Sequence, residues 1–252
     1  RYDDARRHFE RLIKENPENP DVIYPVAMLA LQQGDTTTGR NQLENLLNTD
    51  FPDKSTIHFF LGQLDQEQKK PDGALEHYRQ VTTGEQYMAA RARAALILAQ
   101  QGKFDEAREL LRNTRSSSPA ERTQLTLTEA QLLREANRQN DAYITLETAL
   151  TADPDNPELL YETALTAERI GKPELLEKHL KRLLEIKPEH AHALNALGYS
   201  WAERNIRLAE ARDLIAKALS LSPEDPFIMD SMGWVLFRQG KLPEALQTLE
   251  NA

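Results

Sequence analysis

Apolar residues recur at steps of three and four positions along most of this chain, which places them on one face of an α-helix. The segment 207–221 shows the pattern clearly. Its apolar positions are Leu208, Ala211, Leu214, Ile215, Ala218 and Leu219. Runs of Val, Ile and Thr that would favour strands are nearly absent. The pattern therefore predicts an all-α chain in which each helix buries one apolar stripe.

Helix-ending residues return at a nearly constant interval. The last four of a series of prolines, from Pro119 to Pro223, are separated by 35, 34 and 35 residues. Between these prolines, one position holds Gly or Asn, which accept the left-handed conformation that ends a helix. These residues are Gly34, Gly102, Asn137, Gly171, Asn205 and Gly240. Each repeat is therefore predicted to contain an A helix, a short turn, a B helix and a proline-marked turn.

A small residue occupies another constant position, inside the predicted A helix of each repeat. The residues at this position are Gly62, Ala95, Ala130, Ala164, Gly198 and Gly233. A small side chain lets a second helix approach closely. We therefore expect this position to lie where the A helix meets the B helix. Alanines such as Ala107 and Ala142 stand about twelve residues before most of the prolines and mark the B helix in the same way.

The chain divides into one continuous array of repeats. Six full repeats are predicted at 20–54, 55–87, 88–122, 123–156, 157–190 and 191–225. Residues 1–19 would form the second helix of a truncated repeat, and 226–252 an incomplete repeat, so we expect the natural protein to continue in both directions. The repeat 191–225 has one extra residue in its inter-helix turn. Pro25 falls inside a predicted A helix, where we expect a kink or a late helix start.

This arrangement resembles the tetratricopeptide repeat (TPR), a helix–turn–helix unit of about 34 residues. In the last repeat the matching residues are Met229, Met232, Gly233, Leu236, Ala245, Leu249 and Ala252. The bulky aromatic residue that the family places at its first marked position is missing throughout. The resemblance implies a right-handed superhelical solenoid of antiparallel helix pairs, stabilised mainly by contacts between neighbouring repeats.

Composition and motifs argue against catalysis. The net charge of -9 does not favour nucleic-acid binding, and the absence of cysteine excludes disulfides and thiolate chemistry. Ser200 has a nucleophile-elbow-like context but falls inside a predicted helix. His190 and His192 flank a helix start, and we interpret them as solvated histidines rather than metal ligands, while His58 and His77 are isolated in the sequence. We therefore expect no enzyme activity, no cofactor and no metal.

The TPR resemblance also implies where partners would bind. In TPR proteins the second, fifth, ninth and twelfth positions of the A helix line a concave groove. The corresponding partner-binding candidates here are Tyr24, Met28, Phe59, Gln63, Leu127, Gln131, Arg134, Tyr161, Leu165, Asn195, Tyr199, Asp230 and Trp234. Aromatic residues beside polar groups are typical of protein-binding surfaces. The alternative is that several of these side chains pack against the adjoining repeat.

Two segments, 192–199 and 223–235, are similar to TPR outer-membrane lipoproteins of Gram-negative bacteria. The resemblance implies an adaptor that binds a periplasmic carboxyl-terminal processing protease and its cell-wall hydrolase substrates. It also implies anchoring to the outer membrane by a lipid outside this segment, with no membrane contact by the segment itself. The alternatives are a general assembly or secretion adaptor without a protease partner, and the non-catalytic TPR part of a larger enzyme.

Overall fold

The computed structural model describes residues 18–250 together with residues 11, 12 and 15. The described part of the chain contains fourteen α-helices and no strand, which confirms the all-α class. The helices are α1 (Pro20–Gln32), α2 (Thr36–Leu47), α3 (Lys54–Glu67), α4 (Pro71–Gln80), α5 (Tyr87–Gln100), α6 (Phe104–Arg112), α7 (Pro119–Glu135), α8 (Gln139–Ala152), α9 (Pro157–Arg169), α10 (Pro173–Ile186), α11 (Ala191–Glu203), α12 (Leu208–Leu221), α13 (Pro226–Arg238) and α14 (Leu242–Glu250). The helix expected within residues 1–19 lies largely outside the described residues.

The helices group into two compact units, residues 1–121 and 122–252. In the first unit each helix from α1 to α5 packs against the next one along the chain. In the second unit the same holds from α8 to α14, and α11 also contacts α13. Helices that contact their sequence neighbours bury their apolar stripes against one another, as the repeat pattern predicts. No helix among residues 18–250 is long and apolar enough to cross a lipid bilayer.

The turns inside the helix pairs share one left-handed residue. All six predicted turn residues have positive φ, from 57° at Asn205 to 79° at Gly240. Lys69 occupies the equivalent place between α3 and α4 with φ 57°. The search for Gly or Asn at the turn position did not identify Lys69, because lysine has no preference for this conformation. The geometry of the turn therefore recurs even where the residue type does not reveal it.

The small-residue position lies at the contact between paired helices, as predicted. A Cβ atom added at Gly198 in α11 would lie 2.7 Å from Ile215 Cγ1 and 2.8 Å from the Ala211 carbonyl oxygen, both in α12. At Gly233 in α13, an added Cβ would lie 2.5 Å from Leu249 Cγ in α14. These distances are shorter than van der Waals contact, so a larger side chain would force the helices apart.

Side-chain caps fix where three of the helices begin. Asn156 precedes Pro157, and its Oδ1 accepts hydrogen bonds from the backbone N–H groups of Glu158 and Leu159. The Asp225 carboxylate caps α13 in the same way, and the Asn19 amide oxygen caps α1. Proline suits the first helical position because it has no N–H group to satisfy there. The cap followed by proline therefore sets the first residue of these helices.

The sequence predicted two irregularities, one at Pro25 and one in the inter-helix turn of the repeat 191–225. Helix α1 begins at Pro20 and continues through Pro25, so a late start is wrong. The helix starts at Pro20 because Asn19 caps it there. Pro25 then removes only one backbone hydrogen bond from the helix, so the helix continues through it. Between α11 and α12, residues 204–207 form a connection one residue longer than residues 170–172 between α9 and α10. This confirms the predicted extra residue, and it gives Arg207 a second positive φ in that turn, 48°.

Candidate protein-binding surface

The groove candidates of the first unit pack largely against its core. Tyr24 and Met28 lie against the buried cluster formed by α1, α2 and α3, and the Tyr24 ring stacks on Phe51 with centroids 5.3 Å apart. Phe59 is 6% exposed and contacts the Tyr78 ring at 5.9 Å. Gln63 is half-buried. Tyr24, Met28 and Phe59 therefore serve packing, and a role for any of the four in partner binding stays a prediction.

In the second unit, three aromatic candidates are half-buried along successive first helices of the helix pairs. They are Tyr161 in α9, Tyr199 in α11 and Trp234 in α13. Tyr161 and Trp234 pack on one side against the core of this unit and leave part of the ring accessible. Half-buried aromatic rings are held in place by the fold while keeping area for a partner. We call Tyr161, Tyr199, Trp234, Asn195 and Asp230 the A-helix surface.

Three other candidates lie near the start of this unit. Leu127 and Leu165 are half-buried, and exposed Gln131 donates a hydrogen bond to Glu135 at 2.9 Å. Leu127 and Tyr161 line an open cleft of about 350 Å³ that also includes His190. Because Tyr161 lines the cleft and also belongs to the A-helix surface, the cleft adjoins that surface.

Arg134 serves a structural purpose instead of pointing freely into a groove. Its guanidinium forms an ion pair with Glu162, Nη1 to Oε2 3.0 Å, and donates to the Thr166 hydroxyl at 3.3 Å. Both partners belong to α9, whereas Arg134 belongs to α7. The contacts therefore tie two helices together. Whether Arg134 also contacts a partner stays a prediction.

His190 is part of this region and is not the solvated histidine that the sequence suggested. Its ring lies 5.2 Å from the Tyr161 ring, and its Nδ1 accepts a hydrogen bond from the Ala193 backbone N–H at 3.1 Å. Burial lowers the pKa of His190, and the nearby His192 and Lys187 lower it further, which favours the neutral ring that caps α11. His192 is exposed, as expected. The described residues contain no group of three side chains placed to hold a metal ion.

The charges of carboxylates on three helices act on Tyr199. Glu168 belongs to α9, Glu203 to α11 and Asp230 to α13. Burial is the main cause that raises the pKa of the Tyr199 hydroxyl, and the negative charges of these three carboxylates raise it further. Burial raises the pKa of Glu168, and Glu203 raises it further while Arg169 opposes the shift. None of the three carboxylates has an ion-pair partner among residues 18–250. We call Tyr199, Glu168, Glu203 and Asp230 the Tyr199 acidic cluster.

Two polar atoms of the A-helix surface lack partners within the chain. Asn195 Oδ1 and Trp234 Nε1 are each buried from solvent, and neither has a hydrogen bond to another described residue. The Trp234 ring stacks on Phe237 with centroids 5.5 Å apart, and Arg238 lies 5.6 Å from the Trp234 centroid on the ring face. A buried donor or acceptor without a partner is costly.

The Ser200 side chain is buried and is not accessible to a substrate or partner. It lies inside α11 and is 4% exposed, which confirms that it belongs to a helix rather than to a strained turn. The next residue, Trp201, packs in the core and donates its Nε1–H to Glu177 at 3.1 Å. Ser200 therefore faces the packed side of α11. The segment around Ser200 therefore resembles a nucleophile motif in sequence but not in structure.

The structure also brings together residues that sequence reasoning kept apart. His58 and His77 contact one another, although they are isolated in the sequence. Glu203 joins the Tyr199 acidic cluster from the last position of α11, outside the four groove positions carried over from the TPR pattern. A search one helical turn beyond each aromatic candidate would have found Glu203, because residues four apart lie on one helical face. No such local signal pairs the two histidines.

These features define a helical-repeat protein with a surface suited to contacts with other proteins. Tetratricopeptide repeat models match residues 1–64, 61–122 together with 174–226, and 231–251. The chain belongs to the tetratricopeptide repeat family, whose members act as protein-interaction scaffolds.

A relative from Pseudomonas aeruginosa, the TPR repeat-containing protein PA4667, is 41% identical over 195 residues. The alignment covers 77% of this chain and 33% of the relative, so this chain spans about a third of its length. Among solved structures, the C-terminal part of a TPR repeat-containing protein from Cytophaga hutchinsonii aligns with a TM-score of 0.66 and 14% identity, covering 92% of this chain and 94% of that one. The Cut9–Hcn1 hetero-tetramer of the APC/C gives 0.54 and 17%, covering 100% and 49%. These structural likenesses show the fold.

Proposed function

We propose that this chain is a non-catalytic scaffold that binds proteins through the A-helix surface. We further propose that it recruits a periplasmic carboxyl-terminal processing protease and cell-wall hydrolase substrates of that protease. The scaffold role is supported by membership of a family whose members act in this way. The choice of partner is supported by the similarity of residues 192–199 and 223–235 to TPR outer-membrane lipoproteins.

The observation that carries the scaffold role is the row of half-buried aromatic rings on successive A helices. Tyr161, Tyr199 and Trp234 are held by the fold and keep part of their side chains accessible. Aromatic rings of this kind give a partner a large contact area at a low cost in conformational entropy.

The scaffold would accelerate proteolysis without contributing a catalytic group. If protease and substrate bind the same array, their encounter becomes intramolecular, and the effective concentration of substrate at the protease rises. This role requires at least two binding surfaces on the full-length protein. The A-helix surface would be one of them.

Photo-crosslinking tests the proposal directly. A photoreactive phenylalanine analogue replaces Tyr199 in the full-length protein, and a matched control replaces Ile144, which is 60% exposed on α8. We expect a carboxyl-terminal processing protease or its hydrolase substrate to crosslink from position 199 and not from position 144. Secretion or pilus subunits in place of the protease would overturn the partner assignment. The absence of any crosslinked protein from position 199 would overturn the scaffold role.

The localisation is a proposal of the same origin. We expect the full-length protein to sediment with outer membranes and to be released by a lipoprotein-specific detergent extraction. Recovery in the cytosolic fraction would contradict it. The purified chain should also show no peptidase activity, and hydrolysis that persists through successive purification steps would contradict the non-catalytic assignment.

A further inference from the structure

We infer that Lys181, Arg204 and Arg207 bind an aspartate or glutamate side chain of a protein partner. Lys181 belongs to α10, Arg204 directly follows α11, and Arg207 directly precedes α12. We call these three residues the basic site. It adds a second binding surface to the A-helix surface, as a scaffold that holds two proteins requires, and it does not depend on which partner binds the A-helix surface.

The carboxylate of Glu177 brings the basic site together. Its Oε1 lies 2.7 Å from Lys181 Nζ and 3.8 Å from Arg207 Nη1, and its Oε2 lies 3.4 Å from Arg204 Nη2. The same Oε2 accepts the Trp201 indole N–H at 3.1 Å. Hydrogen bonds, the largest effect coming from Lys181, lower the pKa of Glu177 although burial opposes the shift, so the carboxylate stays charged. The chain itself therefore shows that these cations converge on a carboxylate.

The basic site carries more positive charge than the carboxylates beside it neutralise. Glu210 is the second carboxylate, with its Oε1 3.6 Å from Arg207 Nε. Three cations thus meet two carboxylates, Glu177 and Glu210. Both ion pairs of Arg207 are longer than a hydrogen bond, so its guanidinium keeps N–H donors for a further oxygen atom. A carboxylate of the partner would accept from these donors and balance the remaining charge.

The two outer cations of the basic site are accessible and are also held in place. The side chains of Lys181 and Arg207 are 50% and 47% exposed, whereas Trp201 is 4% exposed. Lys181 Nζ and Arg207 Cζ lie over the Trp201 ring, 5.9 Å and 4.8 Å from its centroid. Contact with a buried ring restricts both flexible side chains. The site is therefore formed before a partner arrives, which lowers the entropy cost of binding.

The backbone of Arg207 indicates that its side chain has a use outside the turn. Arg207 has φ 48° and ψ 39°, a left-handed conformation that favours Gly or Asn. It makes no side-chain hydrogen bond to the start of α12, where its positive charge is unfavourable. Asn156 and Asp225, by contrast, cap α9 and α13. Backbone preference and helix capping both favour another residue at position 207, so the contribution of an arginine lies in its side-chain contacts.

Indole NMR signals test the inference, because Trp201 lies beneath the basic site and Trp234 belongs to the A-helix surface. The probes are the peptide acetyl-Ala-Glu-Ala-Glu-Ala-amide and a matched peptide with glutamine at both glutamate positions. We expect the glutamate peptide to shift the Trp201 signal and to leave the Trp234 signal unmoved. It should bind at least about fivefold more tightly than the glutamine peptide, and added salt should reduce this preference.

A charge-matched pair of variants locates the effect. The variant Lys181→Gln, Arg207→Gly should bind the two peptides equally, and glycine suits the left-handed conformation of position 207, so the turn is kept. The control Lys178→Gln, Arg212→Gln removes the same charge from α10 and α12 and should keep the preference. Urea denaturation checks that both variants fold. The salt dependence of the unmodified protein does not rely on any variant.

Equal affinity of the unmodified protein for the two peptides, or an unmoved Trp201 signal, would overturn the inference. A preference that survives in the folded variant Lys181→Gln, Arg207→Gly, or that is insensitive to salt, would overturn it as well. Competition with inorganic phosphate and with phosphatidylglycerol vesicles identifies the anion. Tighter binding of either one than of the glutamate peptide would assign the site to phosphate groups and overturn the protein partner.

These failures are distinguishable from a failure of the proposed function. If a partner still crosslinks from position 199, the A-helix surface keeps its scaffold role and only the second surface is lost.

Discussion

His58 and His77 lie with their Nδ1 atoms 3.1 Å apart, which joins helix α3 to helix α4. The contact continues through Asp65, whose Oδ2 lies 3.7 Å from His77 Nε2 and whose Oδ1 accepts from Arg40 Nη2 at 2.6 Å. Arg40 belongs to α2, so the chain of polar contacts spans three helices of the first unit. A direct bond between two imidazoles requires that at least one nitrogen of the pair is unprotonated.

This pair should make the stability of the first unit depend on pH. Burial lowers the pKa of both histidines below the ordinary value of 6.5, and the charge of His77 lowers the pKa of His58 further. Asp65 opposes the shift at His77. The unfolded chain therefore binds more protons than the folded chain as the pH falls below 6.5. The free energy of unfolding should decrease over that range.

Urea denaturation at about pH 7.5 and about pH 5.5 measures the effect. We expect the unmodified protein to lose stability at the lower pH, and the variant His58→Gln, His77→Gln to lose less. His179 and His190 also have lowered pKa values, so part of the loss should remain in the variant. His192→Gln, on the exposed surface, is the control. Identical losses in the unmodified protein and the double variant would refute a role for the pair.

Gly198→Ala should destabilise the second unit even though alanine favours helices. Helix propensity alone predicts a gain of about 1 kcal/mol. The added Cβ would lie 2.8 Å from the Ala211 carbonyl oxygen, which belongs to the backbone and cannot rotate away. We therefore expect a net loss of about 1–3 kcal/mol in the free energy of unfolding. A gain in stability by urea denaturation would show that α11 and α12 are not in close contact there.

The left-handed turn residues should respond to substitution in opposite directions. Gly171 has φ 70° and open space around its Cβ position, so Gly171→Ala introduces backbone strain without a clash and should cost about 1 kcal/mol. Lys69→Gly relieves the same strain at φ 57° and should stabilise by a smaller amount, because glycine makes the unfolded chain more flexible. Thermal denaturation of both variants checks the pair. Equal signs for the two changes would contradict the conformational explanation.

The ion pair between Arg134 and Glu162 should contribute modestly to the second unit. Both side chains are partly shielded from solvent, so their coupling should exceed that of a surface pair and reach about 1 kcal/mol. A double-mutant cycle with Arg134→Met and Glu162→Gln isolates this coupling. The exposed pair Arg212 and Asp213 provides the comparison. A coupling no larger than that of the exposed pair would mean that Arg134 does not fasten α7 to α9.

The repeat, the helix pairs and six of the seven left-handed turns inside the helix pairs could be predicted because their signals recur at a fixed phase. Lys69 could not, because its conformation is imposed by the turn and not by its residue type. The contact of His58 with His77 depends on how α3 and α4 pack, which local patterns do not encode. Among the groove candidates, position alone did not separate buried Phe59 from accessible Tyr199.

The most direct test of the scaffold account compares partner recovery by the unmodified full-length protein and by its Tyr199→Ala, Trp234→Ala variant. Each is immobilised at equal density, exposed to the same periplasmic extract, and checked for unchanged helix content by circular dichroism. Ile144→Ala is the control. We predict that recovery of the protease, measured by quantitative mass spectrometry, falls at least about tenfold in the double variant only, as expected when anchor residues are truncated. Undiminished recovery by the folded double variant would contradict the account.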